Sequence, residues 1–150
     1  MRKYPLMLNG REVHPTERDG MFGRAMQLEM PVELAVFTLM EQLERRGFTV
    51  LARYDQPTIT DGRRTGVLLS LWHVELNSEA VKICPDAAVL GLATAVVRSM
   101  HDTGRTHVRL PDPAILLMLS DCSAMDAVAR MLTRLIDEAM IATLMADMPS

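Results

Sequence analysis

The stretch Glu44-Arg45-Arg46-Gly47-Phe48-Thr49-Val50 decides the fold, because the hydrophobic period changes inside it. Before it, Val32, Val36, Leu39, Met40 and Leu43 recur three and four apart, with Glu41, Gln42, Glu44 and Arg45 on the opposite side. That spacing predicts a helix. Pro31 suits its first position, where a missing amide proton costs nothing, and Glu33 favours the positive end of the helix dipole. Gly47 supplies the left-handed backbone that ends it. Phe48, Val50, Ala52 and Tyr54 then alternate with Thr49, Leu51 and Arg53, which predicts a strand of period two.

Working outward, Met21 to Glu29 alternates well enough for an earlier strand, with Phe22, Met26 and Leu28 among polar neighbours. Residues 1–20 carry Pro5, Asn9, Gly10, Pro15, Asp19 and Gly20, which punctuate any regular element. They are expected to form an arm, either loosely ordered or draped over a partner. Residues 21–150 then make a single α+β domain. Downstream, Gln56 to Arg64 is a polar loop, and Val67-Leu68-Leu69-Ser70-Leu71-Trp72 is a nearly continuous apolar strand. Such a strand is covered on both faces or lies at a dimer contact. Asn77 to Ile83 reads as a short helix broken by Cys84-Pro85-Asp86. A turn through Gly91, the strand Thr94-Ala95-Val96-Val97-Arg98, turn chemistry in His101-Asp102-Thr103-Gly104-Arg105 and the alternating Thr106-His107-Val108-Arg109-Leu110 predict a hairpin. A short helix begins at Pro113 and runs to Leu119.

The last element is a long helix over about 123–146, with Ser123 as N-cap and Asp126 three positions on. Met125, Val128, Ala129, Leu132, Leu135, Ile136 and Ala139 form its apolar stripe, opposite Arg130, Arg134 and Asp137. Beyond Ala139 the polarity disappears, since Met140, Ile141, Leu144 and Met145 surround the axis. A helix that turns apolar all round calls for a second surface, and a partner subunit supplies one. A homodimer with Met140, Ile141, Leu144 and Met145 at its contact is the expectation.

The chain has 150 residues, 49% hydrophobic and 23% charged, which suits one globular core and excludes wholesale disorder. Sixteen Lys and Arg against nineteen Asp and Glu give a net charge of −3 without long runs of either sign, which argues against nucleic-acid binding. The pairs Arg45-Arg46 and Arg63-Arg64 read as solvated surface. No segment reads as a secretory leader or as a membrane span, so a cytoplasmic location and no membrane association are expected. Cys84 and Cys122 lack the spacing of a zinc or redox motif and read as two reduced thiols in preference to a disulfide.

The order of strand, helix, Gly-Phe-Thr-Val strand, loop, apolar strand, short helix, hairpin and Asp-Pro helix resembles the family called domain of unknown function 302, over roughly Phe22 to Met118. The likeness is carried by Glu44 to Val50, by Val67 to Trp72, by Asn77-Ser78-Glu79-Ala80 and by Leu110-Pro111-Asp112-Pro113-Ala114-Ile115-Leu116. It implies a compact α+β fold with a mainly antiparallel sheet, helices packed on it, and frequent dimers. It implies no established activity. The chain departs from the family at Trp72-His73-Val74-Glu75 and near Leu92-Ala93, so turn chemistry there does not carry over.

Chemistry-bearing residues are few. Asp102-Thr103-Gly104 spells an aspartic-protease tripeptide but lacks the apolar strand leading into it, and hairpin-turn chemistry explains it. His73 and Cys84 flank the same short helix, with Trp72 placed to shelter them, so Cys84 as nucleophile and His73 as its base are the catalytic candidates. Trp72, His73 and Cys84 are also the candidate ligand pocket. His73 with Glu75, or His101 with His107, lacks a third metal ligand, and these read as surface histidines, so no metal is expected. Walker-type and dinucleotide loops are absent, and no cofactor is expected. Thirteen Met residues suit an adaptable core or dimer contact, with a peptide groove as the alternative. The sequence leans towards a non-catalytic homodimeric module that binds a small apolar ligand or a partner protein between sheet and helices. The alternative is an enzyme using Cys84 with His73.

Overall fold

In the computed structural model the chain turns from helix to strand at Gly47, whose φ is 92°. A Cβ there would meet His73 Nε2 at 2.7 Å, so both the backbone angle and the space exclude a side chain. The structure describes residues 6–8, 11–13, 23–56, 66–87, 93–100, 104–113, 120 and 122–149. In chain order its elements are β1 (Leu6–Leu8), β2 (Arg11–Val13), β3 (Arg24–Leu28), α1 (Val32–Glu44), β4 (Phe48–Gln56), β5 (Gly66–His73), α2 (Val74–Ile83), β6 (Ala93–Ser99), β7 (Thr106–Leu110) and α3 (Asp126–Asp147). Single 3-10 turns at Pro85–Ala87 and Ser123–Met125 follow α2 and precede α3.

β1 and β2 pair antiparallel, Leu6 opposite Val13, so the expected arm contains a two-stranded ribbon despite its Pro and Gly content. The other five strands form one antiparallel sheet in the order β3-β7-β6-β5-β4. This is the α+β architecture with a mainly antiparallel sheet and a long C-terminal helix. The loop Pro57–Thr65, the turn residues His101–Thr103, the expected turn at Gly91 and the expected helix 114–119 lie outside the described residues.

Cross-strand partners share a face, so the register assigns every strand side chain to one side or the other. Met26, Leu28, Val67, Leu69, Leu71, Ala95, Val97, Val108 and Leu110 point towards the helices and are at most 2% exposed. Val36, Leu39 and Leu43 of α1, Ala80 of α2 and Leu132, Ile136 and Met140 of α3 close the same core. Helices α1, α2 and α3 therefore cover one face.

Two expectations change for physical reasons. The alternation of β4 does not persist, because a bulge between Val50 and Ala52 inserts Leu51 as an extra residue. A one-residue insertion reverses every later side chain. Ala52 and Tyr54 thus leave the face of Phe48 and Val50, while Arg53 swings to the helix side and bonds Glu33 of α1 at 2.8 Å. In α3, Asp137 is not on the solvent side with Arg130 and Arg134. It is 7% exposed and pairs with Arg24 of β3, also buried, at 2.9 Å.

The ends of α3 differ from expectation as well. Ser123 lies in the 3-10 turn, and no side chain caps the helix, while Asp126 pairs with Arg130 one turn on. Met140 is completely buried in the chain's own core and so has nothing to offer a partner subunit. Ile141 and Leu144 are half-buried, and Met145 is exposed. The far end of α3 is tied down by Asp147, whose carboxylate accepts the Glu29 amide at 2.7 Å. No helix of the described residues is long and apolar enough to cross a membrane.

Candidate functional site

His73 and Trp72 are neighbours in β5, and neighbours in a strand point to opposite faces. His73 faces the helices and is buried, whereas Trp72 lies half-exposed on the other side. Trp72 therefore does not shelter His73, and the three predicted pocket residues do not line one cavity wall. Cys84 is half-buried at the end of α2 against the edge of the core, and neither it nor Cys122 is in a disulfide.

Both ring nitrogens of His73 are occupied by backbone. Nδ1 accepts the Leu76 amide at 3.1 Å and so caps α2, and Nε2 lies 2.9 Å from the Arg46 carbonyl. A carbonyl only accepts, so the ring is the Nε2–H tautomer. Its ring stacks edge-on against Phe48 with centroids 5.0 Å apart, and its own amide donates to Asn77 Oδ1. This histidine is a joint between the end of α1 and the start of α2. As a base for Cys84 it would have to abandon the cap. Arg46 belongs to the same joint: it is half-buried and donates to the Gln42 carbonyl at 2.9 Å, so the solvated reading holds for Arg45 and not for Arg46.

On the face of the sheet free of helices among the described residues, Gln27, Arg98 and Tyr54 are exposed, while Ala25 is buried. One register row runs Gln27, His107, Arg98, Gly66 from β3 to β5. The next, about 7 Å along the strands, runs Ala25, Arg109, Val96, Leu68, Tyr54 from β3 to β4. Beyond it come Thr94, Ser70 and Ala52, then Trp72 and Thr49. Val96, Leu68 and Trp72 are half-buried and Tyr54 is 62% exposed. Among the described strand residues of this face there is no Asp or Glu.

His107 is buried on this face, as Ala25 of the next row is. It is 6% exposed, and its Nε2 is buried with no hydrogen-bond partner. It is not the surface histidine that the sequence suggested. Burial first, then the charges of Arg98 and Arg109, push its pKa below the usual 6.5, so the ring is neutral at pH 7. Arg98 stands directly opposite it on β6. Arg109 follows it by one alternation on β7 and donates from Nη1 to the Gly23 carbonyl at 3.4 Å. Sequence reasoning passed over this trio. The signal was present in the predicted hairpin, whose two strands carry Arg98 and His107-Val108-Arg109 on alternating positions.

Among the described residues no group of three or more His, Cys, Asp or Glu could hold a metal ion. What the geometry offers is recognition chemistry: cationic and imidazole donors at one end of an apolar row.

The fold and this surface define a class: an antiparallel five-stranded sheet with its helices on one face and the other face free of helices among the described residues. A crystal structure of an uncharacterized conserved DUF302 protein from Bacillus stearothermophilus has this fold. It aligns with a TM-score of 0.71 at 17% identity, covering 83% of this chain and 99% of that one. The chain thus has the DUF302-like fold that its motif order suggested. No family model matches the sequence, and no curated protein matches it. The likeness assigns no function.

Proposed function

We propose that the protein is a non-catalytic, homodimeric module that binds a small ligand with an apolar body on the helix-free face of its sheet. The observation that carries the ligand half is the row Val96, Leu68 and Tyr54, with Trp72 beyond it, left half-buried or exposed side by side. Covering apolar surface gains about 25 cal/mol per Å². The space between sheet and helices is occupied by the core itself, which moves the expected ligand to the opposite face. The dimer half is supported by the apolar end of α3, where Ile141 is half-buried and Met145 and Met148 are 53% and 44% exposed.

Trp72 is the chain's single tryptophan, so its emission reports on this face directly. Titration with 1-decanol, an uncharged amphiphile, is expected to give a saturable blue shift. Emission that stays constant to the solubility limit overturns the ligand half. Light scattering is expected to give a dimer at high micromolar concentration and a monomer for Met145→Glu, which leaves the core intact. A native chain that is monomeric throughout overturns the dimer half.

A further inference from the structure

We infer that the edge of β4 is a seam for a second copy of this chain, in which Ala52 to Gln56 pairs antiparallel with itself about Tyr54 and Arg53 meets the partner's Asp55. The inference goes beyond the α3 contact proposed above and lies elsewhere on the molecule. The end of α3 is tied by Asp147 to Glu29, just after β3, and β3 and β4 are opposite ends of the sheet.

Among the described residues β4 has a strand neighbour on one side only, so its outward amides and carbonyls offer a ladder to another strand. Apolar surface gathers along the same edge, where Leu51 and Tyr54 are exposed. Glu33 is held to Arg53 at 2.8 Å, so the side of α1 that carries Glu33 runs beside β4. One turn on, that side carries Phe37, also exposed.

Charges and a bulge commonly guard an edge against pairing. Here their arrangement selects a partner instead. A twofold axis through the sheet keeps the faces of both copies, and opposite residues then lie equally far on either side of the residue on the axis. With Tyr54 on the axis, Arg53 stands opposite the partner's Asp55 and Asp55 opposite the partner's Arg53, two pairs of opposite charge. Tyr54 meets the partner's Tyr54 on the other face. With Arg53 or Asp55 on the axis, like charges meet, and with Ala52 there the ladder runs through the bulge at Leu51. The side chains suit the Tyr54 register. Within the chain Arg53 donates through Nε and Nη2, and Asp55 accepts through Oδ1. A guanidinium has five donors and a carboxylate two oxygens, so both have capacity for a cross-strand bond. Because the faces are kept, the α1 helices of both copies lie on the same side of the joined sheet, and Phe37 is drawn towards the seam.

The bulge confines the paired stretch to Ala52–Gln56, so the seam is expected to be weaker than the α3 contact and to close at millimolar concentration. Small-angle scattering on the Met145→Glu chain, which lacks the α3 contact, tests it. A monomer at high micromolar concentration and a dimer at millimolar are expected, with the β4 amides exchanging more slowly in the dimer. Adding Arg53→Asp or Asp55→Arg to that chain sets like charges opposite each other and should weaken the dimer at least about tenfold. Both positions are exposed, and substitutions there cost the fold little. Mixed in equal amounts, the two reversed chains should associate again, because the acidic edge of one then faces the basic edge of the other. A Met145→Glu chain that stays monomeric at millimolar concentration overturns the seam and leaves the α3 contact standing. A dimer that neither reversal weakens, or a mixture that does not associate, overturns it as well. Native dimers lost through either reversal but kept in Met145→Glu would establish the seam and overturn the α3 contact.

Discussion

The two faces of the sheet hold their buried histidines in different ways. Under the helices, the buried charges of Arg24 and Asp137 are set against each other. Arg24 meets Asp137 at 2.9 Å, His73 uses both ring nitrogens on backbone groups, and Thr38 and Thr143 donate to carbonyls one turn back in their own helices. On the helix-free face, His107 is as deeply buried as His73 but keeps Nε2 unpaired beside two positive charges. Two histidines in one small sheet therefore have different meanings. The satisfied one is architecture, and the other keeps a buried ring nitrogen without a hydrogen-bond partner.

The largest effect expected from breaking this contrast is at the Arg24–Asp137 pair. Removing one partner of a buried ion pair leaves an uncompensated charge and costs about 3–5 kcal/mol. Asp137→Ala should lower the urea midpoint accordingly, and Arg24→Met with Asp137→Leu should recover most of the loss, because an apolar pair needs no compensation. If Asp137→Ala costs no more than Arg130→Ala on the exposed side of the same helix, the pair is not the structural counterpart described.

Next in size is His73. His73→Ala deletes the cap of α2 and strands the Arg46 carbonyl, a loss of about 1–3 kcal/mol. Asn, a good N-cap, should restore part of it. The rate at which a thiol reagent modifies Cys84 in the folded protein should be the same in native and His73→Asn chains. A pronounced fall in that rate would mean that His73 activates the thiol, and would return the enzyme reading to contention.

What was legible in the sequence was whatever is encoded locally. Helix period and Gly47 sit within a few residues of each other, and so do the turn and strands of the β6–β7 hairpin. The rest depends on what lies across the fold. Nothing in Val50-Leu51-Ala52 marks Leu51 as the bulge, because a bulge is defined by the residue it skips on β5. Asp137 looks like Arg130 and Arg134 until β3 brings Arg24 against it. Met140 looks like Met145 in composition, yet one is in the core and the other is 53% exposed, because five residues turn the helix by about 140° and only one side of it is covered. His73 was singled out for chemistry because histidine at a helix start is a weak capping signal. His107 was set aside because alternation assigns a face without saying whether that face is covered.

The smallest effect is also the most specific test of the difference between the faces. His107 has its pKa lowered, by burial first and by Arg98 and Arg109 after it. Below the unfolded value of 6.5, the unfolded chain binds a proton that the folded chain refuses, so this group makes stability fall as pH decreases through 6.5. The loss ends once pH passes the folded midpoint, below which both states are protonated. At pH 7 both are neutral, so Arg98→Gln should change stability there by no more than about 0.5 kcal/mol. Its effect should appear elsewhere: the His107 resonance in an NMR titration should move to a higher midpoint, and the acid-side slope of stability against pH should flatten. A native His107 that titrates at or above 6.5 without added ligand would mean that the helix-free face already balances its charges, and the contrast with the helix-covered face would disappear.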